Sequence, residues 1–185
     1  MSIKLVILGL MMEANRHPYE IRQMMKDRGM HHYIKMQDGS LYYAIDRLKK
    51  DGCIEVVETI REGNRPDRTI YRITEDGKAL FQKLLLEQFK QATSVFHPLS
   101  AALVFAHNGD QAKIYELLKA KIVALRERTD MAKELYEEHI PTVPRSVLHM
   151  MYGFYEHSLT ELKWLERLAE DAKNGRLKEI GSPLN

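Results

Sequence analysis

The sequence predicts a mainly α protein: a winged helix-turn-helix domain with a two-stranded wing, followed by a C-terminal domain of long helices. Three observations carry that prediction. A short amphipathic stretch, DGSLYYAIDRLKK from Asp38, is preceded by two helical segments and followed by two strand-like runs around a turn-rich loop. Helix, helix, helix and hairpin is the order of a winged helix-turn-helix. Beyond residue 110, apolar residues recur at helical spacing over two stretches of about 29 residues each.

The first helix is expected from Ile3 to about Ala14, where Ile3, Leu5, Val6, Ile7, Leu8, Leu10, Met11 and Met12 leave almost no polar side. Such a helix belongs at the centre of a small domain. Asn15 to Pro18 break it, and Pro18 suits the first turn of a second helix, where its missing N–H is no loss. Tyr19, Ile21, Met24 and Met25 pattern that helix, which should stop near Gly29, and Met30 to Gln37 form a loop or short extension.

The third helix has both its signals, Asp38 to cap its free amides and Gly52 to take the left-handed conformation after its end. Leu41, Ala44, Ile45 and Leu48 share an inward face, while Ser40, Tyr43, Arg47 and Lys50 fall on the opposite side. An outward face of tyrosine, serine and cations suits a DNA groove. CIEVVETI from Cys53 to Ile60, the loop REGNRPDR from Arg61 to Arg68, and TIYRI from Thr69 to Ile73 then form a hairpin whose tip would lie along the DNA backbone.

Thr74 is the expected cap of a fourth helix running to about Thr93, with Glu75 and Asp76 complementing its positive end. His97-Pro98 starts a shorter helix, Leu99 to His107, and Asn108-Gly109-Asp110 breaks the chain before a long helix to about His139. Its stripe is Ile114, Leu117, Leu118, Ile122, Leu125 and Leu135. Pro141 and Pro144 force a turn, and a last helix carries Val147, Met151, Phe154, Leu162, Leu165 and Leu168 until Gly175. Two helices of this length would each extend roughly 43 Å, more than the rest of the chain can cover. An antiparallel pair covered further by a second copy of the chain is the expected solution. The domain boundary is expected near Thr74, giving residues 1–75 for the winged domain and 76–185 for the helical, dimerising domain.

Composition narrows the function less sharply. A chain of 185 residues with 44% hydrophobic content can bury a core, and its net charge is only +2. The basic excess lies early, with 13 Lys/Arg against 10 Asp/Glu in residues 1–73 and 15 against 16 thereafter. No apolar run approaches the roughly 20 residues that span a bilayer, so no membrane association and a cytoplasmic location are expected. The single cysteine, Cys53, fits a reducing compartment and reads as a small buried hydrophobe. Among the eight histidines, His149, His157 and Glu161 share a helix face, but only His157 and Glu161 have the four-residue spacing for a shared ion, so no metal is expected. No phosphate loop or nucleophile motif is present, and neither enzymatic activity nor a cofactor is expected.

GSLYYAIDRLKKDGCI and GNRPDRTIYRITEDG, from Gly63 to Gly77, closely resemble the PadR family of bacterial transcriptional regulators. The correspondence runs through Ser40, Leu41, Tyr42 and Ile45, then Arg65-Pro66, then Tyr71, Ile73, Thr74 and Gly77. ILGL from Ile7 and HPYEI from His17 are similar to that family's opening. Tyr43 stands where the family usually has proline, so operator preference does not carry over, while Pro18 stands where the family usually has glycine and is compatible with a helix start. The resemblance implies a homodimer whose C-terminal helices interlock, with two winged domains on a palindromic operator in double-stranded DNA. Tyr19, Gln37, Ser40 and Tyr42 would hydrogen-bond phosphates or base edges. Tyr43 and Arg47 would enter the groove, and Arg61, Asn64, Arg65 and Arg68 would hold the wing to the backbone. It also implies a repressor that responds to a small aromatic or drug-like effector, with Trp164 as the candidate site. The aromatic and methionine side chains of the helical region suit either such a pocket or a core. A helical protein-protein interaction adaptor that uses a winged domain without DNA is the alternative.

Overall fold

The computed structural model describes residues 3–30, 38–60, 68–92 and 97–184. The elements are α1 (Ile3–Glu13), α2 (Pro18–Asp27), α3 (Asp38–Lys50), β1 (Ile54–Ile60), β2 (Arg68–Ile73), α4 (Glu75–Phe89), α5 (Ser100–Phe105), α6 (Gln111–His139) and α7 (Arg145–Lys173). They form two compact units, residues 1–94 and 95–185. Among the described residues no helix is long and apolar enough to cross a membrane.

The first unit is built around α1, whose Ile7, Leu8, Leu10 and Met11 are buried. Ile21 and Met25 of α2, the four inward residues of α3, and Cys53, Ile54 and Ile73 complete one core. α2 begins on a capping box: the His17 imidazole accepts from the Tyr19 amide at 3.1 Å, and the Glu20 carboxylate accepts from the His17 amide at 3.0 Å. Pro18 occupies the first turn, as its fixed φ favours. α3 starts at Asp38, whose side chain lies outside the described residues, and Gly52 after it has φ 71°.

β1 and β2 pair antiparallel from Ile54↔Ile73 to Ile60↔Arg68, with a bulge between Val56 and Glu58. Arg16 adds an isolated antiparallel bridge to β2, exchanging two backbone hydrogen bonds of 3.0 Å with Tyr71 and tying the α1–α2 connection to the hairpin. Thr74 then closes α3, the hairpin and α4 together. Its hydroxyl donates to the Gly52 carbonyl at 2.7 Å and accepts from the Gly77 amide at 3.1 Å. Gly77 is required by that closeness, since a Cβ there would overlap the Cys53 carbonyl oxygen.

Two expectations are corrected. The division between units falls after α4 instead of at 75/76, because Leu80, Phe81 and Leu84 find their apolar partner in the first core. Gly9 on α1 lets the Phe81 ring approach. α4 also ends at Phe89, short of Thr93, where the Lys90 amide folds back onto the Glu87 and Gln88 carbonyls.

In the second unit α6 and α7 are an antiparallel pair of 29 residues each. Leu118 and Leu125 meet Leu162, Leu165, Ala169 and Ala172, with Leu99, Ile114, Ile122, Trp164 and Leu168 packed at the edge. Not every residue of the expected stripes faces inward. Leu117 is 74% exposed and Leu135 50%, and Phe154 on α7 is 46% exposed, so an apolar surface remains on the outside of the pair.

Candidate nucleic-acid interface

Burial sorts α3 into the two faces its sequence pattern predicts. Leu41 and Leu48 are fully buried and Ala44 and Ile45 nearly so, whereas Ser40, Tyr42, Tyr43 and Arg47 are exposed. Tyr43 is the more open of the two tyrosines, at 66% exposure. A helix anchored by four buried residues on one side holds the opposite side rigidly, which is what base readout in a major groove needs.

Ion pairs sort the cations further. Lys50, on the outward side of α3, turns to Asp46 one turn back, at 2.9 Å. Arg47 and Lys49 have no ion pair among the described residues, and of the two it is Arg47 that falls on the outward face with Ser40 and Tyr43, ready for an acceptor outside the protein. Below α3, Glu13 at the end of α1 receives both Arg28 nitrogens, at 2.6 and 2.7 Å, and Arg16 at 3.2 Å. The Arg28 hydrogen bonds hold the Glu13 carboxyl below its ordinary pKa despite some desolvation. Arg16 also donates to the Leu10 carbonyl at 3.1 Å, so it braces the α1–α2 corner. These arginines are structural.

Tyr19 projects from the first turn of α2 and is 56% exposed. Arg68, at the start of β2, is held by Glu20 of α2, with Nη2 3.0 Å from Oε1. His17 lies beside this pair, and its pKa is lowered by desolvation first and by the Arg68 charge second, against the opposing pull of Glu20. Tyr19, His17, Glu20 and Arg68 therefore make one continuous patch linking α2 to the wing. Gln37, Arg61, Asn64 and Arg65 lie outside the described residues.

Sequence reasoning missed His17 and Glu20. The signal was present, since His17-x-x-Glu20 has the spacing of a capping box with an imidazole in place of the usual hydroxyl. The contact of Glu20 with Arg68 spans 48 positions and leaves no local trace. Cys53 is buried, with its thiol pKa raised by burial and then by Asp51, which suits packing and not thiolate chemistry.

Trp164, the candidate effector residue, sits in the second unit with the His97 ring edge-on at 4.6 Å. His97 Nδ1 accepts from the Leu99 amide at 3.2 Å, and its Nε2 lies 3.3 Å from Glu161, which also meets Lys121 at 3.5 Å. Glu161 is thus engaged across the helix pair and not with His157. A second aromatic assembly, Tyr136, Tyr152 and Tyr155, has centroid separations of 5.0 and 5.6 Å.

Comparison with known proteins bears on both units. The profile of the family described as transcriptional regulator PadR-like matches residues 7–83. Uncharacterized protein X of Lysinibacillus sphaericus is 34% identical over 83 residues, which cover 44% of this chain and 73% of that protein. The fold is similar to that of Bacillus subtilis PadR in complex with operator DNA, with a TM-score of 0.75 at 16% identity, covering 91% of this chain and 98% of the other. The same regulator in complex with p-coumaric acid matches with a TM-score of 0.76 at 15% identity, over 92% and 98% of the two chains. The protein smu.1604c of Streptococcus mutans UA159 is 25% identical over 90% of this chain and 97% of its own, with a TM-score of 0.58.

Proposed function

Because the chain belongs to the PadR-like family of transcriptional regulators, we propose that it is a homodimeric repressor that binds a palindromic operator in double-stranded DNA. The family is one of regulators and not of enzymes. The observation that carries the reading is the sorting of α3, with Leu41, Ala44, Ile45 and Leu48 buried and Tyr42, Tyr43 and Arg47 outward beside a hairpin. α3 enters the major groove. Tyr43 and Arg47 enter the groove, while Tyr19, Gln37, Ser40 and Tyr42 bond phosphates or base edges, and Arg61, Asn64, Arg65 and Arg68 hold the wing to the backbone. The location is cytoplasmic, where the operator is.

The dimer is supported by the apolar surface left on the second unit, including Leu117, Met131, Leu135 and Phe154. A two-fold dimer presents its α3 helices to major grooves about 34 to 36 Å apart, so half-sites are spaced by one helical turn or a multiple. Release by a small aromatic or drug-like effector is supported by the ring pair of Trp164 and His97 and by the p-coumaric acid complex of the Bacillus subtilis relative.

The test is a binding titration of the full chain on duplexes selected from a random-sequence pool, at two salt concentrations. Palindromic sequences should be recovered, with affinity falling steeply as salt rises. Recovery of no sequence, or affinity indifferent to salt, overturns the DNA reading in favour of a protein-binding adaptor. Trp164 is the sole tryptophan, so quenching of its emission on titration with p-coumaric acid tests the effector site directly.

A further inference from the structure

By local rules Glu13 is the wrong residue for its place. It ends α1, where the helix dipole is negative, and no basic residue stands in that last turn to offset it. Its carboxylate instead collects cations from two other junctions of the first unit. Arg28, which ends α2 ahead of Gly29, donates to both oxygens, at 2.6 and 2.7 Å. Arg16, in the corner between α1 and α2, donates at 3.2 Å. The Arg16 side chain is only 18% exposed, and its Nε is turned to the Leu10 carbonyl in the last turn of α1. A guanidinium so placed needs its counter-charge, because little water is left to solvate it. Arg16 also carries the backbone bridge to Tyr71 of β2, so the seat of this side chain is the seat of the wing.

We propose that Glu13 is a positioning residue for DNA reading, locking the α1–α2 corner and the end of α2 so that α3 and the wing are held in one fixed relation. The proposal rests on α3 and the wing both being DNA contacts. α2 and α3 share one core, so the Arg28 arm bears on α3 and the Arg16 arm on β2. Sequence-specific binding needs both elements seated at once, to within about half an ångström. Non-specific binding needs only cations near phosphates. Loss of the lock therefore falls on operator binding, while non-specific binding, with two arginines released, holds or tightens.

Glu13→Gln keeps the size and one carbonyl acceptor and removes the charge. It is compared with Arg28→Gln, the double variant and the wild-type full chain. The probes are a duplex that the wild type selects from a random-sequence pool and a scrambled duplex of equal length. Glu13→Gln should cut the operator-to-scrambled affinity ratio about three- to tenfold without weakening the scrambled complex. Its thermal midpoint should stay within about 3 °C of wild type. The double variant should lose no more than Glu13→Gln alone, as expected of one shared contact. An unchanged ratio, or equal loss on both duplexes as a merely structural role would give, overturns the proposal. A shallower salt slope in Arg28→Gln also overturns it, by making Arg28 a phosphate contact that Glu13 withholds. Amide exchange supplies a readout without DNA. The Arg16 and Tyr71 amides, which donate across the bridge, should exchange roughly fivefold faster in Glu13→Gln, with those of Ile7 and Leu8 unchanged. Unchanged exchange at the bridge sinks the lock, whereas a wild type that selects no sequence sinks the DNA reading, so the two failures are told apart.

Discussion

The two units solve the same burial problem to different degrees. In the first, α1 is surrounded by α2, α3, α4 and the hairpin, and its core residues Ile7, Leu8, Ile21, Leu41 and Leu48 are fully buried. In the second, two helices nearly twice the length of any before them have only each other, and of the largest side chains only Leu165 is fully buried. The outside of that pair keeps Leu117, Met131, Leu135 and Phe154 in solvent. A finished core with polar outward residues suits the proposed reading of DNA, whereas an unfinished one suits the proposed pairing with a second copy.

The contrast breaks most visibly if the first core is opened. Leu48→Ala removes a fully buried side chain and should destabilise the protein by about 2–5 kcal/mol in urea unfolding, since surrounding helices relax little into the cavity. A loss below about 1 kcal/mol would mean that the core is loosely packed and that α3 is not rigidly held. Met131→Asp with Leu135→Asp tests the other side. Both residues are at least half exposed in one chain, so the fold should survive while self-association weakens by about 2 kcal/mol or more, read by sedimentation. A dimer of unchanged strength would place its interface elsewhere. Smaller again, Thr74→Ala should cost about 1 kcal/mol through the lost cap of α4.

How legible each unit was follows from the range of its contacts. α3 was readable in its two faces and its end, because a four-residue apolar repeat and a terminal glycine are local signals, and Gly52 takes the left-handed conformation they require. The Thr74 cap was equally local. The boundary between units was misplaced because an apolar stripe on α4 does not say which apolar surface it meets, and Phe81 against Gly9 is a contact across 72 positions. The same limit hid the division of α6 into a packed face through Leu118 and Leu125 and an open one through Leu117 and Leu135. Within the candidate interface, the outward place of Tyr43 on α3 was foreseeable from periodicity, whereas Tyr19 patterned with the apolar residues of α2 and is exposed, and the grip of Glu20 on Arg68 left no local signal.

Acid distinguishes the units most finely. His17 has its folded-state pKa lowered from 6.5, chiefly by desolvation, so the folded protein prefers the neutral ring that accepts from the Tyr19 amide. That preference is fully present above about pH 6.5 and is lost as pH falls from there towards the lowered value. Glu13, lowered from 4.5 chiefly by its Arg28 hydrogen bonds, stabilises above that value and loses its contribution as pH falls further. Two acid steps should therefore act on the first unit, and His17→Asn, a cap that does not titrate, should remove only the upper one. Urea midpoints at pH 7, 5.5 and 4 read this, and a His17→Asn protein that still loses stability between pH 7 and 5.5 would move the effect to another group. Trp164 lies in the second unit, so ellipticity should fall with acid before its emission changes. Simultaneous change of both signals would show that the two units unfold as one.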